Sequence, residues 1–261
     1  MKEWVTQISE VSENKVLIYG YHLEEIIEKL SFAEGIHLIL RGRLPDGREL
    51  SMMNALLNST LNHGFVSASV IAARFVASGS ANFIAAVAAG LLTVGQNTIN
   101  PAHSANFIRQ AHEKRTAEGL GIEAAAAAIV EECRRSKTQI PGLGHPTHKG
   151  YDFRAVKLRQ IAIANGCWND KCDLYEAIHR EFQRATGKDQ IAINVDGMTA
   201  CVMDAMGFSP DEMAAVASLS VLPGIMAHVI EELKQGRRLR HIDVADSEYV
   251  GPAQRPIPDE R

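Results

Sequence analysis

The segment Pro141–Ala155 reads PGLGHPTHKGYDFRA. It cannot continue as helix, because Pro146 has no amide hydrogen and its ring clashes with the preceding turn, while Gly142, Gly144 and Gly150 favour tight turns. Yet the same stretch carries His145, His148, Lys149, Asp152 and Arg154. On either side the apolar spacing is helical, over Gly121–Ser136 and Phe153–Ala164. The same period recurs in Met52–Leu61, Ser67–Ala77, Ala81–Val94, Ser104–Lys114, Cys172–Thr186, Val195–Met206, Asp211–Ser220 and Gly224–Gln235, and in apolar faces along Leu23–Leu30 and Phe32–Leu40. Ser80 and Ser209 are expected N-caps, and Gly207 and Gly236 expected helix ends. Only the start leans towards strand: Val5–Ile8 and Lys15–Tyr19 flank the turn-forming Ser12-Glu13-Asn14 and predict a small hairpin. No regular alternation of strand and helix is present, which argues against a Rossmann-type sheet. The fold class is mostly α, with chemistry-bearing loops between helices.

Composition narrows the function classes. The chain has 261 residues, 46% hydrophobic and 22% charged, an ordinary globular balance. A formal net charge of −4 gives no reason to expect nucleic acid or an anionic membrane as partner. The first residues, MKEWVTQISEVSENK, lack the apolar region of a secretory signal. The most apolar run, Ala81–Leu92, falls short of the roughly 20 residues that span a bilayer and is expected to be a buried helix. Cys133, Cys167, Cys172 and Cys201 show no CxxC spacing, so free thiols in a reducing cytoplasm are expected. The proline-rich tail Val250–Arg261 reads as an extended arm.

Three further loops hold polar groups beside helix ends: Asn62-His63-Gly64, Asn97–Asn106 (NTINPAHSAN) and Ile193–Gly197 (INVDG). Each has a plain structural reading. His63 could close a helix, His103 could precede a capping Ser104, and Asp196 could itself be an N-cap. His112, His179, His228 and His241 read as surface or core histidines. The His145-x-x-His148 spacing suggests a metal pair, but Pro146 removes the helix that would align the rings and no carboxylate or cysteine sits at ligand spacing, so no metal is expected. No serine or cysteine lies in a nucleophile elbow. Three histidines and one aspartate at turns suit carbon-acid chemistry instead. A carboxylate can move a proton on the carbon next to a thioester, while imidazoles stabilise the enolate oxygen and polarise a second carbonyl.

These residues resemble the citrate synthase family. Gly142-Leu143-Gly144-His145 with Lys149, Asp152 and Arg154-Ala155 is similar to the family's G-x-G-H-x-x-x-K-x-x-D-x-R-A block, and INVD to its N-V-D segment. PAHSAN resembles P-x-H-G-G-A-N, with one glycine missing and Ser104 after the histidine. Asn62-His63-Gly64 falls where the family has D-H-x. The likeness runs along nearly the whole chain. The short length and the His145-Pro146-Thr147-His148-Lys149 match look most like the free-standing citryl-CoA lyase branch.

The resemblance implies a two-domain helical fold with a small N-terminal hairpin, residues 1–106 and 221–261 forming a large dimerisation domain and 107–220 a small one. It implies Asp196 as the base at the acyl-CoA α-carbon, His103 at the thioester enolate and His145 at the keto-acid carbonyl or tertiary alkoxide. His63 and Arg154 would bind substrate carboxylate or hydroxyl, and Lys149, Gly142 and Gly144 would face coenzyme A. The expected enzyme is a cytoplasmic homodimer with no resident cofactor. It would cleave a citryl-CoA-like thioester to acetyl-CoA and oxaloacetate, with condensation in the synthase direction, a non-catalytic CoA-binding relative and an all-α hydrolase as alternatives. One departure stands out: Val221 occupies the position of a family arginine, leaving Arg237, Arg238 or Arg240 to supply that charge, or an acceptor without the matching carboxylate.

Overall fold

The computed structural model describes residues 3–95 and 98–257. Asn97 of the expected loop, and the last residues of the expected arm, lie outside them. At the N-terminus β1 (Ser9–Ser12), β2 (Lys15–Ile18) and β3 (Tyr21–His22) form an antiparallel sheet in the order β1-β2-β3. Ser12 pairs with Lys15, so Glu13-Asn14 is a two-residue loop, and Asn14 takes a φ of 55° that asparagine tolerates. This loop fixes the register and places the first strand after the expected Val5–Ile8.

Eleven α-helices follow among the described residues. They are α1 (Leu23–Lys29), α2 (Phe32–Arg41), α3 (Gly47–Ser59), α4 (Ala68–Ser80), α5 (Phe83–Leu91) and α6 (Pro101–Ala117), then α7 (Ile122–Ser136), α8 (Phe153–Ala164), α9 (Asp170–Thr186), α10 (Val195–Ala205) and α11 (Pro210–Gln235). Where starts differ from expectation, capping decides. Asp46 and Glu49 form a capping box that begins α3 well before Met52. Asn100 caps α6, with Pro101 in the first helical position, ahead of the expected Ser104. Asn82 rather than Ser80 caps α5, since Ser80 is still the last residue of α4. Ser209 caps α11 as expected, in a box with Glu212.

The larger correction is α11, which runs unbroken through Pro223 where two helices were expected. Proline leaves the Leu219 carbonyl without its intrahelical donor. Burial of Val216, Val221, Ile225 and Val229 along the helix offsets that loss. Gly224 sits so close to the Asn62 segment that a Cβ there would lie 2.4 Å from the Leu61 carbonyl oxygen. By length and composition α11, not Ala81–Leu92, is the one described helix long and apolar enough to cross a membrane; here it packs on α3, α4, α5 and α6.

Two apolar clusters build the core. The larger joins α3 (Met52, Met53, Leu56) to α6 through α10, with Leu158, Tyr175 and Phe208 fully buried. Such side chains each contribute about 1.5–3 kcal/mol. The smaller holds Ala73, Ala77, Ala86, Val87, Val221, Ile225 and Val229 from α4, α5 and α11. The expected boundary between 220 and 221 falls inside α11, which carries Val216 into one cluster and Val221 into the other. The polar loops meet between the two clusters.

Candidate active site

Glycine determines how the 141–155 loop reaches α10. Gly142 has a φ of 78°, and a Cβ there would lie 2.5 Å from the Gly197 Cα and 2.4 Å from the Tyr175 hydroxyl. The loop is then tied down by backbone and side-chain bonds. The Gly144 amide donates to the Ala192 carbonyl (2.7 Å), the Asn194 amide to the Gly142 carbonyl (2.9 Å), and the Asn194 side-chain amide to the Gly144 carbonyl (2.7 Å). The buried Tyr175 hydroxyl donates to the Pro141 carbonyl (2.6 Å). Gly142→Ala is therefore expected to destabilise the fold by about 2–4 kcal/mol, from left-handed backbone strain and overpacking together. Chemical denaturation measures it, and an unchanged midpoint would remove this account of the loop.

Asp152 joins α8 to α10. It is buried, caps α8 by accepting from the Arg154 amide, and accepts from the Val195 amide at 3.1 Å. It also forms a two-point pair with Arg154, Nε to Oδ1 at 3.0 Å and Nη2 to Oδ2 at 2.8 Å. Burial works to raise the Asp152 pKa, but the Arg154 bonds and charge outweigh it and hold the carboxyl below its ordinary value. The pair leaves Arg154 Nη1 without a protein hydrogen bond among the described residues, and Arg154 lines the central cavity.

Asn194 caps α10 by accepting from the Gly197 amide at 3.0 Å. Asp196 is thereby released from the capping role and stands in the first turn of the helix. Its Oδ2 accepts a long bond, 3.4 Å, from the Asn100 amide. Burial raises its pKa, against the opposing effects of the Asn100 and Ile99 amides and Arg154. A carboxyl so placed is a stronger base when ionised and readily holds a proton.

A cavity of about 370 Å³ brings Asp196, His63, His145 and Arg154 together, with Asn194, Thr60 and Val221 also in its walls. His145 Nδ1 accepts from the amides of Thr147 and His148, both at 3.1 Å. The neutral ring must then carry its proton on Nε2. Burial first, then Arg154 and the neighbouring His63 and His148, lower its pKa to about 4. At neutral pH His145 is an uncharged hydrogen-bond donor. Burial and the Arg154 charge likewise lower the His63 pKa.

His148, which was given no role in the sequence reading, stacks on His145 with ring centroids 4.6 Å apart. With His63 the three rings place a nitrogen each within 4.8 Å of one another, a cluster that spacing alone could not show because His63 lies far along the chain. This is not a good metal site. A ligating nitrogen needs its partner ring nitrogen to donate, whereas His145 Nδ1 accepts from two amides, which ties up Nε2 as N–H.

Other expected residues stand elsewhere. His103 is exposed in the first turn of α6, outside the cavity lining, although its helix starts where Asn100 meets Asp196. Lys149 is exposed and donates to the His145 carbonyl at 2.8 Å. Gly144 lines the cavity, while Gly142 packs internally. Of the arginines offered in place of the one Val221 lacks, Arg240 is bound to both carboxylate oxygens of Glu232 (2.7 and 2.8 Å), and Arg237 and Arg238 are exposed beyond α11. Asp152, Asn194 and Tyr175 are structural partners that sequence reasoning gives no role; Asp152 and Asn194, each directly before a helical period, carry a readable cap signal, and Tyr175 carries none. A second groove of about 380 Å³, on the Leu143 side of the loop, is lined by Arg134, Lys137, Lys188, Phe182 and Ile191.

The family model "Citrate synthase, C-terminal domain" matches residues 48–242. The chain belongs to the citrate synthase family. Among solved structures, this family member superposes on citryl-CoA lyase from Hydrogenobacter thermophilus with a TM-score of 0.87 and 34% identity, covering 99% of both chains. It shares the fold of ATP citrate lyase from Methanosaeta concilii, captured with (3S)-citryl-CoA, at TM-score 0.80 and 21% identity over 97% of this chain and 42% of that one. Against 2-methylcitrate synthase of Mycobacterium tuberculosis it is 25% identical over 232 residues, 88% of this chain and 55% of the relative. The chain spans about half the length of that curated relative, and less of the Dictyostelium discoideum citrate synthase, of which it covers 24%.

Proposed function

We propose that this protein makes and breaks the carbon–carbon bond between an acyl-CoA and a 2-oxo acid, and works as a lyase on a citryl-CoA-like 3-hydroxy-acyl thioester. The observation that carries the reading is the convergence of Asp196, His145, His63 and Arg154 on one cavity. Arg154 takes the carboxylate beside the carbinol carbon with its free Nη1. The hydroxyl gives its proton to His63, whose Nε2 is buried without a partner. The O–H electron pair left on the oxygen then forms the second C–O bond of the oxo group while His145 Nε2–H donates to that oxygen. The C2–C3 pair becomes the thioester enolate, and Asp196, protonated at the outset, delivers its proton to C2. Condensation runs the same steps backwards.

The whole-chain likeness to a citryl-CoA lyase favours cleavage as the working direction. The basic groove at Arg134, Lys137 and Lys188 suits the phosphates of coenzyme A, with the thioester arm passing the loop towards Asp196. His103, exposed in the first turn of α6, is the group assigned to the thioester oxygen. Exposed Ile71, Phe75 and Ile84 on α4 and α5, with Ile230 and Leu233 on α11, fit a homodimer of this chain.

The non-catalytic alternative draws on the position of His103 outside the cavity. Incubation with acetyl-CoA in deuterated buffer separates the two. Exchange of the α-protons, lost in Asp196→Asn, is the expected result. Binding of the thioester without exchange, whether or not a 2-oxo acid is present, would favour the binding protein.

A further inference from the structure

Building on that reading, we infer that the acceptor is a 2-oxo monocarboxylic acid with a short apolar tail, such as pyruvate or 2-oxobutyrate, and that Val221 sets this choice. The helix α11 reaches the cavity with Val221, Gly224 and Ile225 only, and Val66 and Val70 continue the apolar surface. Among the described residues, Arg154 is the only lysine or arginine that lines the cavity. Half of its guanidinium edge is already committed to Asp152.

Among the described residues, no other lysine or arginine lines the Val221 wall. Arg240 is held by Glu232, and Arg74 by Glu231 and Glu232. Lys149 is exposed outside the cavity. At 1.5 Å per residue the end of α11 at Gln235 lies about 21 Å from Val221, far beyond the reach of Arg237 or Arg238. A substrate with one carboxylate therefore satisfies Arg154 and lays a methyl or ethyl group against Val221 and Ile225. A dicarboxylate would press its second charge against those same side chains, where hydroxyls and the Asn62 amide are near but no second lysine or arginine among the described residues offsets the lost hydration. The corresponding thioester keeps the reactive part of citryl-CoA, with the carboxymethyl arm replaced by methyl or ethyl. Cleavage balances as before: the C2–C3 bond breaks, acetyl-CoA leaves with the proton from Asp196, and pyruvate or 2-oxobutyrate keeps the oxo oxygen.

The test measures condensation of acetyl-CoA with pyruvate, 2-oxobutyrate and oxaloacetate, using the whole protein and following CoA release. Deuterium exchange into acetyl-CoA is followed with each acid present. The expected result is a kcat/KM at least about 100-fold higher for a monocarboxylate than for oxaloacetate. Val221→Arg should narrow or reverse that ratio, and Val221→Ala, which adds no charge, should leave oxaloacetate disfavoured. Preference for oxaloacetate by the unaltered protein would overturn the inference, a guanidinium from a second copy being one way to that outcome, while leaving the carbon–carbon chemistry intact. Exchange and turnover with none of the acids would overturn both.

Discussion

Asp196→Asn is expected to lower kcat about 10²–10⁴-fold while leaving the fold and its melting temperature nearly unchanged. The amide keeps the shape and can still accept the long bond from the Asn100 amide. It cannot take a proton from carbon or return one. The carboxyl's burial raises its pKa, so it can hold the proton that cleavage delivers to the enolate. Asn194 already caps α10, so the substitution removes no helix cap. Steady-state rates, α-proton exchange and a thermal melt measured together check this. Exchange at the unaltered rate would take the base out of the scheme.

His145→Ala should cost about 10²–10³ in kcat, the loss expected when one preorganised donor to a developing oxyanion is removed. Its proton sits on Nε2 because the Thr147 and His148 amides occupy Nδ1, and with a pKa of about 4 it stays neutral throughout the working range. Activity should show no loss from His145 protonation as pH drops from 8 to 5. Stability behaves differently. In the unfolded chain this histidine titrates near 6.5, so between about pH 6.5 and 4 the unfolded state binds the extra proton and folding weakens as pH falls. His145→Gln should remove part of that acid lability, measured as the pH dependence of the denaturation midpoint. An inflection in wild-type kcat near 6.5 that vanishes in the variant would contradict a neutral donor.

Helical period identified almost every helix, because burial of one face repeats in the residue pattern regardless of partner. Caps are harder to place: the spacing points to Ser80 rather than Asn82, to Ser104 rather than Asn100, and starts the third helix at Met52 although Asp46 caps it, since a cap is defined by where the backbone turns. Reading Pro223 as a break was reasonable for an isolated helix and failed because tertiary burial on both sides of it outweighs one missing hydrogen bond. The residues proposed to react can be singled out in the sequence as histidines and an aspartate at expected turns. What made them a site could not, because the tautomer of His145 depends on two loop amides and the partner of Arg154 is a buried carboxylate. The stacking of His148 on His145 likewise depends on the loop's path, which Gly142 sets by touching α10.

The contact between Gly142 and Gly197 has a consequence for how such an enzyme can diverge. The imidazole and the carboxylate proposed to polarise the oxygen and carry the proton ride on segments that touch at their backbones and share a tyrosine anchor, so their spacing is inherited as one piece. The proposed acceptor wall belongs to another helix altogether, packed in the other apolar cluster. A single exchange on α11 can change which acid is admitted while the proton chemistry is passed on untouched.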